Sequence, residues 1–302
     1  MKKIPSVTFF ACAYNEEGNI RNFLKSVLSQ KEEGFRMKKI VIVSDGSTDR
    51  TAKIVKSFES KKIHFIEHEE RIGKSTRLND IYRNLDTDIL VQSDADVQFK
   101  GKMVIARLIA PLTASKMVGL CGGNPIAVSG ETFIEKSINI THSVYRKFRG
   151  DLKGGHNVFS ADGRLLALSR TFANNLYIPP TMIANDMFAY FSCISKGFKY
   201  QYVKDAIVYY RSPQTLKDHI RQNTRFEAGP LRMEKYFEKS LVESELKIPL
   251  SKLFLYTFFE FIKAPHMAVT ILMINIFCRV QAKLNESKMN AKWNMAITTK
   301  SL

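Results

Sequence analysis

Residues 39–55, KIVIVSDGSTDRTAKIV, decide the fold. Residues 39–44 form a short, β-branched apolar run, the signature of a strand buried on both faces. Ser47-Thr48-Asp49 then supplies capping chemistry, with Asp49 read as the helix cap. Ile54, Val55 and Phe58 follow at helical spacing. The same unit recurs on either side. Upstream, the apolar run 7–13 precedes a helix carrying Ile20, Phe23, Leu24, Val27 and Leu28 on one face. Downstream come a strand at 63–66, a helix at 74–85 and a strand at 89–92. This alternation predicts an α/β, Rossmann-like fold, a mostly parallel sheet flanked by helices on both faces. Ligands of such sheets bind beyond the carboxyl ends of the strands, and every polar cluster in this half sits there.

From 100 to 229 the pattern is less regular. Helices are expected at 104–114, 133–148, 183–195 and 216–227, and short strands near 119 and at 157–160, 165–168, 200–203 and 207–210. Beyond Pro230 a charged segment, 232–247, gives way to an apolar stretch, 253–280. The 302 residues are 45% hydrophobic, enough to bury a core. Forty-six Lys and Arg against 29 Asp and Glu give +17 and imply a polyanionic partner: nucleic acid, an anionic leaflet or a phosphate-bearing substrate. Nucleic acid is set aside because no helix-turn-helix, RNP-type motif or zinc finger gives the charge a geometry. Cys12, Cys121, Cys193 and Cys278 are scattered without a CxxC pair, which suggests neither a zinc cluster nor a disulfide framework and suits a reducing compartment. The opening apolar run is broken at Tyr14-Asn15-Glu16-Glu17, so export is not expected.

Four clusters carry chemistry. Ser93-Asp94-Ala95-Asp96 places two carboxylates two residues apart in extended chain, where both can approach one Mg2+ or Mn2+; the bland alternative is a solvated strand-end turn. In Ser44-Asp45-Gly46-Ser47-Thr48-Asp49, Asp45 could accept hydrogen bonds from a base or ribose, while Gly46 permits a close turn. Tyr14 and Glu16 offer an aromatic face and a carboxylate to a nucleobase, although acids at a helix start are also explained by the dipole. Residues 71–79, RIGKSTRLN, open a helix with basic side chains and free amides that suit a diphosphate, without the spacing of a P-loop.

The order AYNEE, SDGSTD, RIGKSTRLN, SDAD resembles the family 2 glycosyltransferases, inverting enzymes of GT-A fold. That resemblance implies that Tyr14, Glu16 and Asp45 hold a nucleoside, and that Arg71 and Lys74 lie near the nucleoside and diphosphate. Asp94 and Asp96 would hold the diphosphate through Mg2+ or Mn2+. Asn185-Asp186-Met187 resembles the family's Glu-Asp pair, whose Asp is the general base, with Asn in place of Glu. Gln222-Asn223-Thr224-Arg225-Phe226 resembles the QxxRW motif of the polymer-forming members, with Phe226 for Trp. Residues 155–170, containing Asp162, look like the link between donor and acceptor sites. His156 might touch an acceptor; the remaining histidines show no metal-ligand spacing.

The expected organisation is a nucleotide-sugar half at 1–110, an acceptor half at 111–230 and a helical tail at 231–302. The uninterrupted part of the tail, 267–278, is shorter than the ~20 residues of a spanning helix. An interfacial helix or hairpin stands first, ahead of a helix pair packed on the domain or another subunit, and ahead of a span. Trp293 reads as an interfacial anchor or packing contact. The expected function is transfer of a sugar, from UDP by preference, to a lipid-linked or glycan acceptor at the cytoplasmic face of the cell membrane, by a peripheral or monotopic enzyme. Its rivals are a soluble or protein acceptor with the tail as oligomer contact, and an inactive nucleotide- or membrane-binding relative.

Overall fold

The computed structural model describes residues 4–290, 292, 296–300 and 302. Trp293 lies outside them. The first half alternates as its sequence predicts: β1 (Ser6–Ala13), α1 (Ile20–Leu28), β2 (Arg36–Asp45), α2 (Thr51–Lys56), β3 (Ile63–His68), α3 (Lys74–Arg83) and β4 (Ile89–Asp94). There follow β5 (Val97–Phe99), α4 (Val104–Ala114), β6 (Val118–Ala127), α5 (Phe133–Asp151), β7 (Leu165–Ser169), α6 (Arg170–Asn174), α7 (Asn185–Ser195), β8 (Lys199–Tyr210) and α8 (Leu216–Met233). The tail comprises α9 (Lys239–Leu246), α10 (Leu250–Lys263) and α11 (Pro265–Asn285).

Among the described residues the strands form one sheet in the order β3-β2-β1-β4-β7-β6-β8-β5. The first four are parallel. The rest is mixed, because β7 runs antiparallel to both β4 and β6 and β5 antiparallel to β8, while β6 and β8 are parallel. Strand residues alternate between two cores, as a pleat with side-chain period two requires. Phe9, Ile42 and Val91 pack with α1 and α4, whereas Phe10, Val43 and Leu90 pack with α3, α6 and α7. Each such fully buried side chain contributes about 1.5–3 kcal/mol. The register pairs Cys12 with Asp94 and Ala13 with Ser44, so the strand-end clusters emerge side by side.

The irregular half departs from its sequence pattern in several places. The strand expected at 157–160 is a 3-10 turn, Val158–Ser160, because the Asn157 side chain takes the Phe159 N–H that a ladder would need. The two strands expected at 200–203 and 207–210 are one, β8, whose register against β6 jumps between Gly122 and Asn124. Helix α8 continues through Pro230 to Met233, held at its end by buried Arg232, which bonds Glu286 and the Thr181 carbonyl (2.8 Å). Pro230 lies in the last turn, where it has no N–H to give the Phe226 carbonyl.

In the tail, α11 is 21 residues long rather than the shorter uninterrupted run, because Pro265 serves as its first residue. By length and composition it is the one described helix able to cross a membrane, and 17% of its most apolar window is buried. One side packs on α5 and α8. Asn275 accepts from Asn223 (3.0 Å), meets His219 (3.3 Å) and donates to Thr141 (3.3 Å), and Arg279 pairs with Glu227. The other side, with that of α10, is bare: Phe254, Phe258, Phe259, Ile262, Leu272, Met273, Ile276 and Phe277 are all exposed. The tail is thus a helix pair packed on the domain with an apolar outer face.

Candidate active site

The loops after β1, β2 and β3 are tied into one unit. Asp49, expected to cap α2, lies one residue before the cap position, which Arg50 takes without a side-chain cap bond; it accepts from Thr51 N (2.9 Å) and from Glu17 N (2.9 Å) and so links two loops. Asp45, expected against a nucleoside, is bound to the third loop. It accepts from Ile72 N (3.1 Å), Gly73 N (2.8 Å) and Arg77 Nε (2.8 Å) and is 3% exposed. Gly46 follows with φ +75°, and a Cβ there would lie 2.7 Å from the Arg71 nitrogen. Loop 71–73 can therefore approach only because residue 46 is glycine. At the rim the Arg71 guanidinium lies 4.1 Å from the centre of the Tyr14 ring, joining two residues assigned to the nucleoside.

Deeper in, the Lys74 ammonium meets the Asp94 carboxylate at the start of α3. Burial works to lower the Lys74 pKa, but Asp94, by charge and hydrogen bond, outweighs it and raises it. Asp96 is the reverse case: burial and then the Asp94 charge raise its pKa, and its Oδ1 is buried without a hydrogen-bond partner. Glu16 is buried too. Burial, then the Asp96 charge, push it up to about 8 in spite of Lys300, whose ammonium contacts its carboxylate, and of Asn19 (3.1 Å). Lys300 also donates to the Tyr14 carbonyl (3.1 Å), and Leu302 N donates to Asn19 Oδ1 (2.8 Å). Gly18 leaves room for this strap; a Cβ there would meet the Lys300 carbonyl oxygen at 2.1 Å.

On the far wall, Asp186 opens α7. Its Oδ2 accepts from Gly163 N (3.0 Å) and its Oδ1 from Met187 N (2.9 Å). Burial and the Asp162 charge nevertheless raise its pKa. Asp162 itself is an ion-pair node: burial opposes its charge, but Arg164 (3.1 Å) and Arg149 (2.7 Å) overcome that and hold it down at about 2. Asn185 accepts from Ser75 Oγ (2.9 Å), locking the start of α7 to the start of α3. Arg225 donates to the Ile183 carbonyl (3.2 Å); burial lowers its pKa to about 10 against the pull of Asp186 and Asp94. Phe226 lies beside it, 42% exposed, with Gln222 half-buried one turn earlier. His156 is exposed, and its Nδ1 accepts from Tyr202 N (3.1 Å), a contact with β8 rather than with the carboxylates.

A divalent cation fits this arrangement. Asp94 and Asp96 form a carboxylate pair whose mutual repulsion a cation would relieve, and the orphaned Asp96 oxygen lacks only such a partner. Among the described residues no third acid, His or Cys completes a cage. Mg2+ and Mn2+ do not need one, since they fill their remaining positions with phosphate oxygens and water.

Residues 8–176 match Glycosyl transferase family 2, and 105–282 match Glycosyl transferase family group 2. The chain belongs to glycosyl transferase family 2. It is similar to probable glycosyltransferase YdaM of Bacillus subtilis (26% identical, covering 92% of this chain and 68% of that one). It is also similar to the poly-beta-1,6-N-acetyl-D-glucosamine synthase of Staphylococcus aureus (25%, covering 75% and 55%). The chain thus spans about two thirds of the first relative and about half of the second. Among solved structures it resembles the mannosyltransferase PcManGT of Pyrobaculum calidifontis in complex with GDP-Man and Mn2+ (TM-score 0.65, 16% identical, covering 95% and 88%). Glucosyl-3-phosphoglycerate synthase of Mycobacterium tuberculosis, with Mn2+, UDP and phosphoglyceric acid, follows at TM-score 0.53, 16% identity and coverage of 76% and 78%. These give the GT-A fold, and the chain is a glycosyltransferase.

This glycosyltransferase brings Tyr14, Glu16, Arg71, Lys74, Asp94, Asp96, Asp186 and Arg225 to one rim, with Asp45 and Asp162 as buried supports behind it. Sequence reading missed Lys300 and Arg149. Lys300 stands 284 residues from Glu16, and nothing local marks it; Arg149 sits in a helix that reads as plain amphipathic packing.

Proposed function

We propose that this glycosyltransferase moves a sugar from a nucleoside-diphosphate donor, UDP-sugar by preference, to a glycan or lipid-linked acceptor at the cytoplasmic membrane face, using Mg2+ or Mn2+. The observation that carries the reading is the shared rim of Lys74, Asp94 and Asp186, locked by the Ser75–Asn185 bond. Residues 1–110 serve the donor and 111–230 the acceptor, while 231–302 lie against the membrane, with Lys300 reaching back to the donor. Tyr14, Glu16 and Arg71 flank the nucleoside, and Lys74 with the free amides at the start of α3 receives the diphosphate. A cation on Asp94 and Asp96 would neutralise diphosphate charge.

Asp186 takes the proton of the acceptor hydroxyl as that oxygen bonds the anomeric carbon. The bond from that carbon to the diphosphate breaks on the opposite face, its electron pair leaves with the nucleoside diphosphate, and the configuration inverts. A raised pKa suits the base, because a proton acceptor works best when its pKa approaches working pH. Arg225, Phe226 and Gln222 border the acceptor, Asp162 orients its side of the cleft through Arg164, and His156 sits at its outer edge.

The test is a thermal-shift screen of nucleotide sugars with and without Mn2+. UDP-sugars at a hundredfold excess over Kd should stabilise the protein by about 2.7 kcal/mol, and Asp96→Asn should abolish the Mn2+-dependent part. No response to any nucleotide sugar would end the reading.

A further inference from the structure

A cavity of about 340 Å3 lies between the end of β6 and one face of α5. Its wall includes Tyr210 and Arg149, which border the reacting region. Arg149 bonds Asp162, and the Arg164 guanidinium stacks 3.8 Å from the Tyr210 ring centre. From α5 come Lys136, Asn139, His142, Ser143 and Arg146, and the lining contains no carboxylate. Carboxylates that approach from neighbouring elements are already neutralised: Glu260 of α10, which accepts from Ser143 (3.1 Å), is paired with Lys147 and Lys263, and Asp162 with Arg149 and Arg164. Lys136 and Arg146 are exposed at the mouth and enter no ion pair among the described residues.

His142 adds a neutral polar group. The Tyr210 hydroxyl (2.9 Å) and the Ser212 hydroxyl (3.1 Å) both lie against its Nδ1, and Ser212 donates to Asn139 Oδ1 (2.7 Å), which holds the ring against the inner wall. Burial, then Arg164 and Arg149, lower its pKa to about 3, and it stays neutral at working pH. The cavity is therefore a basic recess beside the proposed base. Helix α5 also carries the contact with the apolar tail: Phe133 stacks on His266 of α11 at 5.9 Å, and Ser143 meets α10. An anion held here could extend an apolar chain along the bare face of α10 and α11.

We propose that this cavity seats the phosphoryl group of an acceptor that carries it on a hydrophobic chain, with Lys136 and Arg146 binding its charge. The assignment rests on the reading of the chain as a membrane-facing glycosyltransferase. It is tested by calorimetric titration of the full chain with a short-chain isoprenyl monophosphate, the matching isoprenol and inorganic phosphate. The monophosphate should bind and the isoprenol should not, and Lys136→Gln/Arg146→Gln, both surface changes, should weaken the monophosphate at least about tenfold. Failure of the monophosphate to bind, or unchanged affinity in the double variant, would overturn the site. Inorganic phosphate binding as tightly as the isoprenyl phosphate would overturn the hydrophobic chain as part of the ligand. Donor binding is followed separately by UDP and Mn2+ thermal shift. Retained monophosphate binding without any donor response would sink the catalytic reading and leave the anion site standing.

Discussion

Ser75 and Asn185 share a 2.9 Å hydrogen bond between side chains 110 residues apart. It fixes the first turn of α3, with Lys74, against the first turn of α7, with Asp186. The family's glutamate would bring a second charge to this spot; asparagine supplies an acceptor without one, leaving Asp186 as the carboxylate of the pair.

Asp186→Asn should therefore lower turnover by about 100- to 10,000-fold while leaving donor affinity intact. Single-turnover rates beside UDP and Mn2+ thermal shifts separate the two effects. Turnover equal to the parent would remove Asp186 from the role of base.

Lys300→Gln should weaken the donor about tenfold, because the ammonium that meets Glu16 and the Tyr14 carbonyl frames the same pocket. Titration of UDP measures this. Unaltered affinity would confine Lys300 to a structural strap.

Glu16 predicts a pH dependence with a definite sign. Its pKa rises from 4.5 to about 8 on folding, so the folded state holds the proton more tightly. Stability from this group is full below pH 4.5 and is lost as pH rises through about 8. Between pH 6.5 and 8, above the range in which the depressed His142 contributes, the Tm of the parent should fall more than that of Glu16→Gln. Parallel curves would contradict the assignment.

The tail is testable by flotation with anionic liposomes. Phe254 and Phe258 are exposed and stacked on each other, rings 5.6 Å apart. Phe254→Ser/Phe258→Ser should cost about 1.5–3 kcal/mol of membrane binding per ring. High salt should weaken binding further, at roughly 1 kcal/mol for each screened Lys or Arg near the surface. A parent protein that fails to float would favour an oligomer contact instead.

The first half of the chain was legible because its signals are local. Short apolar runs in β1, β2 and β4 and helical spacing in α1 each declare themselves within ten residues, and the acids lie just after the strands. What escaped depends on distant partners or on local competition. Asn157 reads as part of a strand until its side chain is seen taking the Phe159 N–H. The pairing of Asp162 with Arg149 has no local mark in the sequence. The length of α11 was hidden because Asn275 and His266 interrupt the hydropathy, and Asn275 is spent on Asn223, His219 and Thr141.

The placement of Asp45 changes how a mutant at that position should be understood. An alanine there would strand the Arg77 charge in a closed interior and release two amides of loop 71–73, at a cost of about 3–5 kcal/mol. Arg71 and Lys74 would drift with the loop. An assay would register lost donor affinity even without any contact between this carboxylate and the donor: removing the pin that holds the loop imitates a missing ligand contact.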